Sequence, residues 1–305
     1  MVQSSNICIT KPLHMQNVLI TLLLFCSIQL HSQTQSKPVV IPFELTPNGH
    51  ILISAKVNGI EGKFVFDTGA GMNLLIKKYA DKVTNLEKTQ HFHTGHRATG
   101  EEIMTDIWNA ESLEMEAFKM NTELFAVYDL DFPIDGLISL TPFRNKPITI
   151  DFKNKQLVVE NEASLKSRVT TADFEMPIKI HNDKDITIGI ATDVKLNDKL
   201  SLLVNLDSGA GFGVYRFNSR YMKYLNIDPL NLKSEVRSST FKPELSNTFY
   251  FTKLDKLSDV NNHTQSKDIN AQFITGLIHE GIMGIDWIGD IITIDIPNKR
   301  LIVKK

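Results

Sequence analysis

Two short segments hold the residues whose types and spacing suit acid–base chemistry. One apolar strand runs into Asp67-Thr68-Gly69-Ala70-Gly71, and another, 140 residues later, runs into Asp207-Ser208-Gly209-Ala210-Gly211. A single Asp-Thr-Gly is an ordinary strand-to-turn corner, in which Asp supplies local hydrogen bonds and Gly a positive φ. Two copies, each behind an apolar strand, point to a paired site. Carboxylates held close together cannot both ionise easily, so they share one proton and their apparent pKa values separate. The ionised Asp can then draw a proton from a water held between the pair, while the protonated partner polarises the carbonyl that the water attacks. Such a reaction needs no metal, cofactor or covalent intermediate. Hydroxyls at Thr68 and Ser208 could reach across to the opposite half and lock the two loops, and Gly69 and Gly209 leave room for backbone N–H groups to approach the carboxylates.

The elements that must position these residues are themselves written twice. Val40-Ile41-Pro42-Phe43-Glu44-Leu45 matches Glu175-Met176-Pro177-Ile178-Lys179-Ile180, an offset of 135. Lys56-Val57-Asn58-Gly59 matches Lys195-Leu196-Asn197-Asp198, each a short turn feeding the strand that ends at its Asp. Asn-Gly between apolar runs is a strong hairpin signal. The closing segment Ile148 to Val159 aligns without gaps on Ile292 to Val303, an offset of 144. Three ordered blocks at near-constant offset predict an internal duplication. The pattern is mostly alternating β, with short helical candidates at Leu75–Val83 and Asn218–Leu225. Residues 161–174 are polar and Ser/Thr-rich and read as a linker, giving an all-β chain of two lobes at 37–160 and 175–305.

Composition sets the surroundings. The 305 residues are 42% hydrophobic, enough for a substantial core, and a formal net charge of −2 without any Lys/Arg-rich run gives no footprint for nucleic acid. Lys11 precedes the apolar run from Val18 to Ile28, too short to span a bilayer comfortably and fitting a secretory signal peptide over 1–32. Cleavage is expected after Ser32, followed by export to periplasm, cell surface or medium without stable membrane insertion. Both cysteines, Cys8 and Cys26, lie in that leader, so the mature chain is expected to have no thiol catalysis and no disulfide.

Asp-Thr-Gly-Ala resembles the signature of retropepsin-type aspartic proteases. The later Ile134-Asp135-Gly136-Leu137-Ile138-Ser139-Leu140 and Glu280-Gly281-Ile282-Met283-Gly284-Ile285-Asp286 resemble that family's second signature, an apolar-apolar-Gly strand beside the catalytic loop. The similarity is greatest to exported bacterial aspartyl-protease-family proteins that fuse two such lobes. It implies retropepsin- or pepsin-like β lobes, with Asp67 and Asp207 as a catalytic dyad and Thr68, Gly69, Ser208 and Gly209 in support. It further implies a peptide or protein substrate, no cofactor or metal, and a site complete within a monomer. Departures are Ser139, where the family has Gly as at Gly284, and Asn205, where Val65 stands in the first copy. The substrate-covering hairpin is placed at His91–Glu101.

Two other readings compete. A chain of this fold could bind peptides or partners without cleaving them. Separately, His91-Phe92-His93-Thr94-Gly95-His96 has the His-x-His-x-x-His spacing of a metallo-β-lactamase-type zinc hydrolase, although Gly95 stands where an acidic residue is expected. Asp151 and Asp295 fit turn roles in the closing hairpins, and Trp108 and Trp287 fit core positions.

Overall fold

In Ile51–Val57 the residues Ile51, Ile53, Ala55 and Val57 are buried while those between them face outward. That period of two is the mark of a strand with one face on a core, and it recurs through the chain. The computed structural model describes Met1, residues 37–239 and residues 242–305. The expected leader, its cleavage point at Ser32 and both cysteines lie outside the described residues.

The first half contributes β1 (Val39–Leu45), β2 (Ile51–Val57), β3 (Ile60–Phe66), β4 (Asn73–Ile76), β5 (Glu87–His96), β6 (Glu102–Met115), β7 (Phe118–Tyr128), β8 (Gly136–Ile138), β9 (Ile148–Asp151) and β10 (Gln156–Val159). The second half adds β11 (Phe174–Pro177), β12 (Lys179–Asp183), β13 (Thr187–Leu196), β14 (Leu200–Leu206), β15 (Tyr215–Asn218), β16 (Lys233–Ser238), β17 (Ser246–Asp259), β18 (Gln265–Ile274), β19 (Gly281–Met283), β20 (Ile291–Asp295) and β21 (Arg300–Lys304). The fold is all-β, as expected from the alternating pattern.

Pairings in one half repeat in the other. β3 runs parallel to β8 with Phe66 opposite Ile138, and β14 runs parallel to β19 with Leu206 opposite Met283. β4 lies antiparallel to β8 and parallel to β7, as β15 does to β19 and β18. The β2–β3 hairpin turns at Asn58 and Gly59, both at positive φ, and β13–β14 turns through Asn197 and Asp198, likewise at positive φ. Each turn Asn also accepts a hydrogen bond from a distant strand, Asn58 from Ser112 N–H and Asn197 from Lys256 N–H, both at 3.0 Å.

The two closing hairpins join edge to edge. β9 pairs with β20 so that Thr149 faces Thr293, Ile148 faces Ile294 and Ile150 faces Ile292. Because Thr149 and Thr293 are the matched residues of the repeat, a local twofold relation passes between them. Their hydroxyls lie 2.7 Å apart, and both residues are fully buried. The backbone ladder therefore runs unbroken from one half into the other, and Lys37–Lys305 form one compact unit.

Helix is scarce, and its limits differ from expectation. Leu75 and Ile76 are drawn into β4, so the first helical candidate shrinks to Lys77–Ala80. The second becomes a 3-10 segment, Ser219–Leu225, started by the Asn218 side chain accepting from Arg220 N–H at 2.9 Å. Residues 161–174 are more ordered than a polar linker. Asn161 and Ser164 form a reciprocal capping box at 2.8 and 3.0 Å that starts a helix over Glu162–Thr171, and β11 begins at Phe174.

The core reaches up to the Asp loops through Phe66 and Leu206, each buried one residue before its Asp. Phe66 meets Phe143 edge-on at 5.9 Å, and Phe143 stacks on Phe118 at 5.1 Å. The junction gives a direct test. Thr149 Oγ1 donates to Glu160 at 2.6 Å while pairing with Thr293, so Thr149→Val leaves two buried polar groups each short of a partner. We expect a loss of about 1–3 kcal/mol in urea unfolding, part of it recovered in the Thr149→Val/Thr293→Val double variant.

Candidate active site

Each Asp follows the central strand of its half, and its position is set first by backbone. Asp67 N–H donates to Ile138 O at 2.9 Å and Asp207 N–H to Met283 O at 2.8 Å, continuing the two parallel ladders by one residue. The ladder ends there because the chain turns away. The turn is pinned across the molecule by four hydrogen bonds. Thr68 N–H donates to Ser208 Oγ and Ser208 N–H to Thr68 Oγ1, both at 3.0 Å, while Thr68 Oγ1 donates to Leu206 O and Ser208 Oγ to Phe66 O, both at 2.8 Å. Thr68 and Ser208 are almost completely buried. Each hydroxyl thus replaces water for one N–H and one C=O that the turn would otherwise strand.

This lock brings Asp67 and Asp207 side by side, close enough to share a hydrogen bond. Gly69 lies against the Asp207 carboxyl and Gly209 against that of Asp67, where a Cβ on either glycine would overlap the opposing acid. Close approach, rather than positive φ, is what requires glycine at both positions. Asp67 Oδ1 accepts from Gly69 N–H at 2.8 Å and Ala70 N–H at 3.0 Å. Asp207 is less well served, and its Oδ1 is buried without a partner among the described residues. Burial, and after it the neighbouring Asp67 charge, pushes Asp207 well above the ordinary carboxylate range, against smaller opposition from Ala210 N–H and Arg216. The pair is unequal in its surroundings, and Asp207 is the acid whose charged form burial disfavours. Both acids keep part of their surface accessible and Gly69 is exposed, so solvent reaches them.

Ser139 is accommodated by a polar network that the second half lacks. Its N–H and Oγ both donate to Asn73 Oδ1, at 2.9 and 3.1 Å, and its Oγ lies 3.0 Å from Thr141 Oγ1. Asn73, Thr141 and Arg144 in turn converge on Glu123 Oε1 at 3.1, 3.2 and 3.3 Å. Burial holds Glu123 above the ordinary range despite Arg144, Thr141 and Asn73. At the matched Gly284 a Cβ would strike Gly211 O, so a side chain fits in one half only. Asn205 also has a partner, His279 Nδ1 at 3.2 Å. Burial, then His181, keeps His279 below its ordinary value.

The hairpin placed at His91–Glu101 is β5–β6, with a tip at Arg97–Glu101 closed by Arg97 N–H to Glu101 O at 2.8 Å. The tip rests on the second half. Ile278 N–H donates to Ala98 O at 3.0 Å, and Ala98 packs against the buried cluster of Ile274, Leu277 and Ile282. Glu101 is 2% exposed. Burial opposes its charge, but hydrogen bonds from Ser239, Thr99 and its own N–H, together with Arg97, outweigh that and hold it below the ordinary range.

The histidines on this hairpin do not gather. His91 and His96 are exposed, and among the described residues no three His, Cys, Asp or Glu side chains are placed to hold a metal ion. Asp151 and Asp295 serve turns, accepting from Asn154 N–H and Asn298 N–H at 2.9 and 3.3 Å.

Residues 53–141 match the family model described as Aspartyl protease, a stretch that includes Asp67, Thr68, Gly69 and the β8 strand against which Asp67 is held. These residues belong to the aspartyl-protease family. The chain is also similar to a retropepsin-like aspartic protease from Rickettsia conorii, at 21% identity over 40% of this chain and 88% of that one, with a TM-score of 0.29. No curated protein matches the chain. The matched stretch ends well before Asp207, so the second acid enters through the fold.

Reading the motifs alone missed Glu101, the Gly276–Ile278 seat of the hairpin tip, and Arg216, an electrostatic neighbour of Asp207. Aligning the repeats through β4 and β15 would have flagged Arg216, since it stands where the first half has Leu74.

Two outcomes follow from this geometry. Thr68→Val strands Ser208 N–H and Leu206 O and should cost about 2–4 kcal/mol in urea unfolding, whereas Thr68→Ser retains most of the stability. An acid whose folded pKa is raised binds its proton more tightly in the native state, so native stability falls as pH rises from the unfolded value, about 3.9, through the raised one. Asp207→Asn should therefore be more stable than wild type at neutral pH, with the difference closing towards about pH 4 in unfolding measured across pH.

Proposed function

We propose that the chain is an aspartic endopeptidase that hydrolyses peptide bonds with a water activated between Asp67 and Asp207, one carboxyl from each half. The observation that carries this reading is the pair itself: two acids side by side on interlocked loops, with burial favouring the neutral form of Asp207. Asp67, whose Oδ1 is already oriented by two backbone N–H groups, takes the proton of the attacking water. Asp207 donates to the carbonyl oxygen as negative charge develops there. The acids then exchange roles as the proton passes to the leaving nitrogen.

The β5–β6 tip, seated on the second half through Ala98 and Ile278, is assigned as the substrate cover, with an extended peptide lying beneath it. Repeated pairings and matched closing hairpins support origin by internal duplication. With both acids on one polypeptide, the working form is a monomer. The short apolar leader supports export, to periplasm, cell surface or medium, with peptides or proteins met there as substrates.

The purified chain, incubated with a proteome-derived peptide pool across pH, should cleave with an acidic to near-neutral optimum and lose kcat/KM on the alkaline side as Asp207 gives up its proton. Asp67→Asn and Asp207→Asn should each lower kcat by at least about 10²–10⁴-fold. Chelator and His93→Ala should leave turnover unchanged. Activity surviving either Asp→Asn change would overturn the dyad, and loss with chelator would favour the zinc reading. Peptide binding without cleavage at any pH would make the chain a binding protein of the same fold.

A further inference from the structure

The local twofold relation makes each wall of the site the control for the other. Residue for residue, β4 against β8 and β7 corresponds to β15 against β19 and β18. Leu74 lies opposite Leu137 and Ala126, and the matched Arg216 lies opposite Ile282 and Gln272. The first wall is apolar, with Leu74 packed on Met72, Ile107 and Ala126. The second has a guanidinium and a carboxamide at two of the same positions.

Arg216 does not face the core, since its neighbours Tyr215 and Phe217 do. Its one hydrogen bond is to a neutral group, Gln272 Oε1 at 3.4 Å, and it makes no ion pair among the described residues. Its charged neighbours are Arg237, Arg97 and one acid, Asp207, whose charged form burial disfavours. Burial, reinforced by those two arginines, holds Arg216 below the ordinary guanidinium value. Arg237 lies over the Phe249 ring at 4.7 Å, and Phe249 packs on the Ile274, Leu277 and Ile282 cluster that also seats Ala98 of the hairpin tip. Arg237 is engaged by Glu235 at 2.7 Å, which leaves Arg216 as a partly buried cation without an ion-pair partner among the described residues. A partly buried charge of this kind is costly unless something pairs with it.

We propose that the second-half wall is a carboxylate-binding subsite, in which Arg216 pairs with an acidic group of the substrate while the matched Leu74 wall takes an apolar side chain. The carboxylate is either an Asp or Glu side chain beside the scissile bond or the free C-terminus of a short peptide. This inference rests on the peptidase reading, and it gives the site an asymmetric preference, acidic on one side and apolar on the other.

The test uses peptide pools matched in every respect except Glu against Gln, Asp against Asn, and free against amidated C-termini. Wild type should favour acidic members by about tenfold to a hundredfold in kcat/KM, the span expected for hydrogen bonds to a charged group. Arg216→Leu, which installs the first-half residue, should collapse that ratio towards one, and Arg216→Lys should retain part of it. Arg237→Gln, at a more exposed position, should lower the ratio by a smaller factor. A preference lost on amidation identifies the terminal carboxylate, and one that survives amidation identifies the side chain. Binding of the same pools to Asp67→Asn gives a readout independent of turnover. Acid-selective binding without cleavage by wild type supports the subsite and defeats the peptidase reading. Cleavage and binding with acidic and neutral members within about twofold of each other overturn the subsite alone. A shifted pH profile in Arg216→Leu with an unchanged acidic-to-neutral ratio also overturns it, because Arg216 would then act only through Asp207.

Discussion

The structure turns on the reciprocal exchange between Thr68 and Ser208. Two carboxyl groups repel each other when ionised, and no fold gains stability by bringing them together. Something else must hold the loops. Here each hydroxyl accepts the opposite loop's N–H and donates to the carbonyl two residues before the opposite hydroxyl, so each loop is completed only by the other. All four bonds are shielded from water, where leaving any of these groups unpaired would be expensive. The acids beside them inherit a separation that neither half could impose alone.

A second tie makes that lock durable. Closing hairpins β9–β10 and β20–β21 share a ladder, with Thr149 and Thr293 meeting where the twofold relation passes. Backbone pairing sets the relative position of the halves far more tightly than a side-chain contact could. The β5–β6 tip adds a third connection through Ala98 and Ile278. Shared ladder, interlocked loops and hairpin tip are therefore each built from both halves.

Within this nearly symmetric frame the differences are informative. Ser139 has the Asn73, Thr141, Glu123 network to receive it, whereas Gly284 is pressed against Gly211 O and could not bear a side chain. Asp67 receives two backbone N–H groups on one oxygen, and Asp207 has a buried oxygen with none. Symmetry of fold coexists with asymmetry of charge, and a shared proton needs that asymmetry to have a preferred owner.

The sequence by itself determined what depends on near neighbours. Strand periodicity, the Asn58-Gly59 turn, the two Asp motifs and the matched closing segments are written in runs of a few residues, and the all-β class follows from them. Helical candidates were read less well, because Leu75 and Ile76 suit a helix face as readily as a strand, and only pairing with β7 and β8 selects the strand. The helix in 161–174 was legible in Asn161 and Ser164, but a polar composition obscured it. Only the tertiary structure decided that Asp207 is the acid whose charge is disfavoured, because burial and the approach of Gly69 to Asp207 arise from opposite halves of the chain. Likewise Arg216 becomes a neighbour of Asp207, Arg97 and Arg237 only once three separate strands have set their register. Local patterns fix local geometry; proton ownership and charge complementarity depend on distances that no single segment contains.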